Sequence, residues 1–425
     1  MSITTHCTGC RACEQICPQG CISMTTDHEG FDQARLDESC ATSATSCNGC
    51  NLCRNTCPEN AIIGTAGTNL PRNKPVKVYA VRYKDDERLF HSASGGAFLG
   101  LAKYVLSQGD CAGGTGGMVY GAAYDENLKV SHIGVTRDED LIRLQSSKYV
   151  QSNTEKTFAE VREKLREGVL VLYSGTGCQI AGLLSFLQCR DYPNLITVDL
   201  ICHGVPSPKL YADYLLWLSE KYDEEITHYN FRSKIRGWGL RYLAQTKTKT
   251  RYRGAMLDPY YRTFLAGSVY RECCYRCKYA TAERVSDFTI GDYWGIAKEH
   301  PDFFSMKGVS CVLVNTAKGV ETFAAVEKKG SSLATRNGFH CIESTFKQVA
   351  RHNKNLIRPS LRPAERDAIY DGLSDCGLQC SRNRYFTEKL RLPFGIRSAG
   401  ILLKAILHEV LPVRFIAFVK KLLRR

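Results

Sequence analysis

The chain has 425 residues, 44% hydrophobic and 24% charged, with a formal charge of +14 and 21 cysteines. That length gives two or three units of roughly 150 residues, and the composition is that of a globular protein with little room for long disorder. A chain this long needs no disulfide staples, the cysteine count is odd, and ten cysteines precede residue 58, which points to metal binding and away from a secreted disulfide framework.

In chain order, residues 1–63 form a cysteine-rich block with an internal repeat, CTGCRACEQICP from Cys7 and CNGCNLCRNTCP from Cys47. The spacing C-x2-C-x2-C-x3-C-P occurs in both, at Cys7, Cys10, Cys13, Cys17 and at Cys47, Cys50, Cys53, Cys57. This is the run that holds two 4Fe-4S clusters in bacterial ferredoxins, where three cysteines on a tight loop take three corners of one cube and the fourth serves the other cluster. The expected ligand sets are Cys7, Cys10, Cys13 and Cys57 for one cluster, and Cys47, Cys50, Cys53 and Cys17 for the other. Tetrahedral zinc also uses paired CxxC motifs, but it gives no reason for two four-cysteine runs that each close in Cys-Pro. The repeats start 40 residues apart, which implies an insertion near residues 25–45; Cys21 and Cys40 fall around it and read as structural or incidental.

Thr4 to Cys17 is polar and lacks the apolar stretch of a signal peptide, so a cytoplasmic protein is expected. Residues 64–75 read as a linker rich in Gly, Pro and Asn. A strand is expected over 76–83, a helix over 94–106 entered through a glycine pair, a hairpin over 118–135 turning at Asp125–Asn127, and a polar helix over 138–144. Helix 155–167 then precedes strand 169–174, helix 178–188 and strand 195–201. The last three make a βαβ unit, expected to cross over right-handed with parallel strands. A helix over 209–221, a basic aromatic stretch over 229–262, a strand over 309–316 and a helix over 318–329 follow. From Ser381 to Arg425 there are eleven Lys and Arg against Glu388 and Glu409, a net +9, so the rest of the chain is nearly balanced. Lys404, Glu409, Pro412 and Arg414 interrupt this tail too often for it to cross about 30 Å of hydrocarbon.

Cys178 follows one strand of the βαβ unit through Gly175-Thr176-Gly177, and Cys202 follows the other. Both therefore emerge at the carboxyl edge of a parallel sheet, where open α/β sheets place ligands. Two readings stand: half of a metal site completed by Cys274 and Cys277, or two buried apolar cysteines of the ordinary kind.

Several ordered motifs carry a resemblance: SKYVQS (147–152), SGTGCQIAGL (174–183), DLICHGVPSP (199–208), CCYRCKYA (273–280) and SDFTIGDYWGI (286–296). Residues 76–375 resemble the beta subunit family of coenzyme F420 hydrogenases and dehydrogenases, in which a ferredoxin module is often fused in front. The resemblance implies an FAD-containing iron–sulfur domain, with Cys178, Cys202, Cys274 and Cys277 holding a third 4Fe-4S cluster beside the flavin. Relatives usually have Pro at Gly177, and the adjacent Cys273 leaves the CxxC assignment open by one residue. Ser94 and the pair Gly95-Gly96 open a helix whose free N–H groups suit a pyrophosphate; Lys148, Gln151 and Ser152 offer contacts to phosphate or ring, and Gly175 and Thr176 lie in the loop before Cys178. The plain alternatives are packing glycines and a surface lysine. No GxGxxG opens a helix after a strand, so a Rossmann site is not supported.

The expected fold class is mixed α+β and α/β: a small two-cluster ferredoxin-like domain (1–68), a larger α/β flavin-binding domain (76–375), and a basic amphipathic tail (381–425). The expected function is an iron–sulfur flavoprotein oxidoreductase, coupling FAD hydride chemistry to one-electron transfer. Its partners would be ferredoxin or another oxidoreductase subunit and an unidentified hydride donor or acceptor. The alternative is a non-catalytic electron-transfer subunit, because no His, Lys or Tyr stands out as an acid or base and His203 reads equally as structural. Segment 231–254 interleaves Arg with aromatics as base stacking requires, yet it reads better as a strand pair or lid, and no nucleic acid is expected. The tail either lies on an anionic membrane face, a peripheral contact at its inner side, or packs on the body or on a partner.

Overall fold

The computed structural model describes residues 3–4, 6–37, 40, 47–60, 70–108, 116–330, 338–374 and 386. The stretch from Leu392 onward and residues 64–69 of the expected linker lie outside the described residues.

Each cysteine run folds the same way. Gly9 and Gly49 turn the chain at φ 71° and 73°, Arg11 and Asn51 follow at 60° and 55°, and the five-residue helices α1 (Ala12–Ile16) and α2 (Leu52–Thr56) end on Cys17 and Cys57. Glycine enters this left-handed region without a Cβ penalty, so each loop doubles back and gathers its sulfurs. The expected insertion contains a hairpin, β1 (Ile22–Thr26) antiparallel to β2 (Asp32–Leu36), whose turn is tied by the Asp27 carboxylate accepting from Phe31 N–H. Ile3, Ile22 and Ala34 make a small core with Cys13 and Cys57.

The body holds strands β3 (Lys77–Tyr83), β4 (Gly117–Tyr124), β5 (Val130–Val135), β6 (Leu170–Gly175), β7 (Leu195–Leu200), β8 (His228–Asn230), β9 (Arg241–Gln245), β10 (Thr250–Gly254), β11 (Phe288–Asp292), β12 (Ser310–Val314) and β13 (Phe339–Glu343). Eight of them form one sheet in the order β13-β3-β12-β11-β7-β6-β4-β5. The central strands β11, β7, β6 and β4 are parallel; β5 on one side and β12, β3 and β13 on the other are antiparallel. The architecture is a mixed α/β body with a large mixed sheet behind a small N-terminal iron–sulfur domain.

The helices that matter to the site are α3 (Asp86–Phe90), α4 (Ala97–Leu106), α5 (Leu141–Leu144), α6 (Thr157–Arg166), α7 (Gly177–Phe186), α8 (Pro208–Tyr222) and α9 (Pro259–Ala266). β6, α7 and β7 form the expected βαβ unit, and both strands are buried along nearly their whole length, as parallel strands covered on both faces are. Leu99, Leu101 and Val105 of α4, with Phe323 and Val326 of helix Ala317–Gly330, cover one face against Leu172, Ile196 and Val312. Phe158 and Val161 of α6 and Ile180 and Leu183 of α7 cover the other against Val171 and Tyr173, and Cys10 and Ala12 join that layer.

The basic aromatic stretch forms a three-stranded sheet, β10-β9-β8, which packs with α8 and α9 through Tyr214, Tyr229, Tyr242, Tyr260 and Tyr261. No strand was expected at β11 or β13; β11 joins the parallel strands to the antiparallel ones, and β13 ends the antiparallel side. Among the described residues no helix is long and apolar enough to cross a membrane.

Candidate functional site

The structure gathers Cys7, Cys10, Cys13 and Cys57. Burial, then its neighbours Cys57 and Cys7, pushes the Cys10 thiol up to about 12. Burial, then Cys10, Cys57 and Cys7, raises Cys13 further, and burial takes Cys57 to about 11. Buried sulfurs that raise one another cannot ionise together without a positive core between them, so the donor set fits an iron–sulfur cluster. Backbone N–H groups reach the sulfurs, Gly9 donating to Cys7 Sγ at 3.4 Å.

Cys17, Cys47, Cys50 and Cys53 ring a cavity of about 150 Å³, joined by Cys21. Burial raises the Cys53 thiol, and Cys17, Cys47 and Cys50 raise it again. Among the described residues no three His, Cys, Asp or Glu crowd around one ion-sized point; these thiols stand around a larger space. Cys47 and Cys50 are exposed. Cys21, which sequence reasoning set aside, is buried here: its N–H donates to Cys17 Sγ at 3.4 Å and its thiol hydrogen-bonds that of Cys40.

The first set is locked to the body. Thr154 Oγ1 donates to the Cys10 carbonyl at 2.9 Å, and Gln15 Oε1 accepts from Phe158 and Ala159 N–H in the first turn of α6. Arg271 donates to the carbonyls of Cys7 (2.7 Å) and Asp32 (2.6 Å) and to Gln151 Oε1 (2.8 Å), while Gln151 Nε2 donates to the Thr8 carbonyl. Arg366, 1% exposed at its side chain, forks onto both carboxylate oxygens of Glu29 at 2.6 and 2.5 Å. The Cys10 sulfur lies so close to α7 that a Cβ at Gly182 would sit 2.9 Å from it.

That same helix begins beside a third group of thiols. Cys178 is its second residue and Cys202 follows β7, so both stand at the carboxyl edge of the parallel strands. Burial raises the Cys178 thiol well above its usual value, followed by the neighbouring Cys277, Cys202 and Cys273; burial and then Cys277 take Cys202 to about 12. Cys273 hydrogen-bonds Cys274, whose side chain packs against the tyrosine-rich core. The buried pair Arg284–Asp199 (2.9 Å) pins the end of β7, and Arg284 Nη1 also donates to the Tyr279 carbonyl. A Cβ at Gly177 would stand 2.8 Å from Tyr279 Cβ, a local reason for glycine at that position.

Cys178 and Cys202 also line a cavity of about 400 Å³, within the roughly 300–1,000 Å³ typical of cofactor pockets. Gly96, Ala97 and Phe98, the entry to α4, line it with Gly121, Gly204 and Gly291. Of the flavin candidates, Ser94, Gly96, Lys148, Gln151, Ser152, Gly175 and Thr176 face it and Gly95 does not. Gly95 N–H donates to Ser310 Oγ, and a Cβ there would meet the Val81 carbonyl at 2.2 Å, so that glycine serves close packing.

The polar candidates are largely committed to the walls. Lys148 Nζ donates to the carbonyls of Gln145 (2.7 Å) and Arg143 (3.1 Å), and burial lowers it to about 7. Gln151 grips Thr8 and Arg271; Ser152 Oγ pairs with His132 Nδ1 at 2.8 Å; Ser94 Oγ donates to the Val309 carbonyl; Thr176 caps α7. Sequence reasoning missed a wall of the cavity: Arg232 forks onto Asp292 (2.6 and 2.8 Å), Trp238 Nε1 donates to the same carboxylate, and the Trp238 and Trp294 rings stack 5.2 Å apart. The paired tryptophans of GWG and DYWG were the available signal.

Residues 169–336 match the family model for the C-terminal part of the coenzyme F420 hydrogenase/dehydrogenase beta subunit, and residues 6–61 match a 4Fe-4S dicluster domain. Among solved structures the chain is similar to one from the F420-reducing [NiFe] hydrogenase complex of Methanosarcina barkeri, at 17% identity and a TM-score of 0.43, over 76% of this chain and 95% of that one. No curated protein matches.

Proposed function

From a 4Fe-4S dicluster domain at residues 6–61 and, at residues 169–336, membership of the coenzyme F420 hydrogenase/dehydrogenase beta subunit family, we propose that this iron–sulfur redox protein is a flavin-dependent oxidoreductase. It would pass electrons singly between a partner and an FAD in the 400 Å³ cavity. The observation that carries this reading is that Cys178 and Cys202 line that cavity at the start of α7, the helix on which Cys10 rests. Thiol sites and cavity thus lie in series. Cys47, Cys50, Cys53 and Cys17 would hold the outermost cluster, Cys7, Cys10, Cys13 and Cys57 the next, and Cys178, Cys202 and Cys277 a third, with the fourth ligand drawn from Cys273 and Cys274.

Flavin, when bound, supplies the exchange between hydride and single-electron chemistry. The first turn of α4 presents N–H groups that have no partner within the helix, aimed at the cavity through Gly96, Ala97 and Phe98, which suits a pyrophosphate. Trp294, held by the Arg232–Asp292 pair, offers a planar wall. The partner, ferredoxin or another oxidoreductase subunit of the cytoplasm, would approach the exposed Cys47–Cys50 edge.

An anaerobic inventory tests this: about twelve irons and one FAD per chain are expected, four irons for each cluster. C273S and C274S, prepared in parallel, identify the fourth ligand as the one whose loss lowers iron by about four. Twelve irons without flavin would favour a pure relay protein, a reading supported by the polar side chains already committed to the cavity walls. Steady turnover of a hydride donor by the isolated chain would exclude that relay reading.

A further inference from the structure

One side chain shares a packed layer with thiols of both the N-terminal domain and the third group. Tyr279 is 5% exposed and packs in the layer that contains Cys10, Cys178 and Cys277. Its ring lies under the Arg72 guanidinium, 5.3 Å from the centroid. Arg72 in turn donates to the Lys278 carbonyl, and Lys278 Nζ donates to the carbonyl of Glu59, two residues beyond Cys57. The charged groups facing the phenol are Glu59, Cys178 and Cys10, with Arg72 opposite.

Within this packing the Tyr279 hydroxyl is buried and has no hydrogen-bond partner among the described residues. Leaving such a group unsatisfied costs the full desolvation of the hydroxyl with nothing to offset it. Orphan hydroxyls occur elsewhere among the described residues, at Tyr211 and Tyr261 in the tyrosine-rich core and at Tyr120 in the same layer as Tyr279; what sets Tyr279 apart is which thiols it faces. Tyr279 stands where two sets of thiols approach each other, and the chain keeps glycine at 177 against which its Cβ packs.

We propose that the Tyr279 hydroxyl is a positioned donor to the iron–sulfur group held by Cys178, making Tyr279 a residue that sets the electron affinity of the inner cluster. This rests on the reading that Cys178 holds a cluster. A hydrogen bond to cluster sulfur stabilises the reduced, more negative state and so raises its potential. The donor therefore biases electrons on the first cluster toward the cavity.

The test is Y279F in the full, anaerobically reconstituted chain, followed by EPR-monitored redox titration. The expected result is unchanged iron content with reduction of the inner cluster about tenfold less favourable, a fall of about 59 mV for a one-electron couple, and the two N-terminal clusters unmoved. Pulsed EPR after exchange into deuterated buffer gives a second readout: an exchangeable-proton coupling at the reduced inner cluster, present in the wild type and absent in Y279F. Full iron content with no shift and no lost coupling overturns the proposal, as does a shift confined to the N-terminal pair. A wild-type chain with about eight irons would instead sink the third cluster itself, and the iron count separates the two failures.

Discussion

The two cysteine runs are near copies in sequence and backbone, yet they occupy opposite environments. Both turn at a glycine of φ near 70°, pass through one left-handed residue and close a five-residue helix on cysteine. Cys10 and Cys13 of the first are nonetheless buried, Cys10 against the body, while Cys47 and Cys50 of the second are exposed. A repeat specifies where sulfurs point; the surrounding packing decides what they feel. Because burial, solvent and hydrogen bonds set cluster potentials, the fold makes two unequal centres from one motif.

The sharpest way to expose that inequality is to withdraw iron. Chelation under anaerobic, reducing conditions is expected to release iron in two phases, the exposed set first, with absorbance following the loss. Because cluster binding supplies folding energy to a small thiol-held unit, proteolysis should then digest residues 3–60 completely while the eight-stranded body stays protected. Loss in a single phase would show the two environments to be equivalent.

Next in size is R366A. Removing one member of a buried ion pair costs about 3–5 kcal/mol, and Glu29 would be stranded in the interface. Urea unfolding should show that loss, and iron at the inner N-terminal set should become as labile as at the exposed one. The smallest changes are paired alanines. At Gly9 a Cβ would meet Gln151 Nε2 at 2.2 Å and Arg271 Nη1 at 2.9 Å, whereas at Gly49 it meets nothing within 4 Å. Both variants carry the left-handed penalty of roughly 1–2 kcal/mol, and G9A also breaks hydrogen bonds worth about 1–3 kcal/mol. G9A should therefore cost about 2–5 kcal/mol and G49A about 1–2; equal losses in thermal melts would deny that the inner loop is clamped.

What the sequence made legible follows from where information is local. The cysteine runs carry their geometry in their spacing, and the buried strands Leu170–Gly175 and Leu195–Leu200 announce a parallel unit through unbroken apolar runs. Phe288–Asp292 and Phe339–Glu343 were unreadable as strands because each is five residues long and owes its state to neighbours far away in sequence. The same holds for the dock: Arg271 and Gln151 are 120 residues apart, and nothing in either local pattern marks them as partners of Thr8 or Cys7. Lys148 was legible as a cation but not as one consumed by carbonyls of its own loop. Cys21 reads as structural or incidental because spacing says nothing about a thiol that packs beside a ligand without belonging to the run; its burial beside Cys17 fits the structural alternative.

The residues that lengthen the gap between the two runs form a hairpin, and that hairpin supplies Glu29 and the Asp32 carbonyl to Arg366 and Arg271. A ferredoxin free in solution reaches its client by diffusion, at a frequency set by concentration. Fastened in this way, the module presents its inner centre at the effective concentration of a tethered group, on the order of millimolar or above, however dilute the protein. On the proposed reading the extra loop would turn a travelling carrier into a resident one, and only the last exchange, at the outer centre, would still depend on how much partner is present.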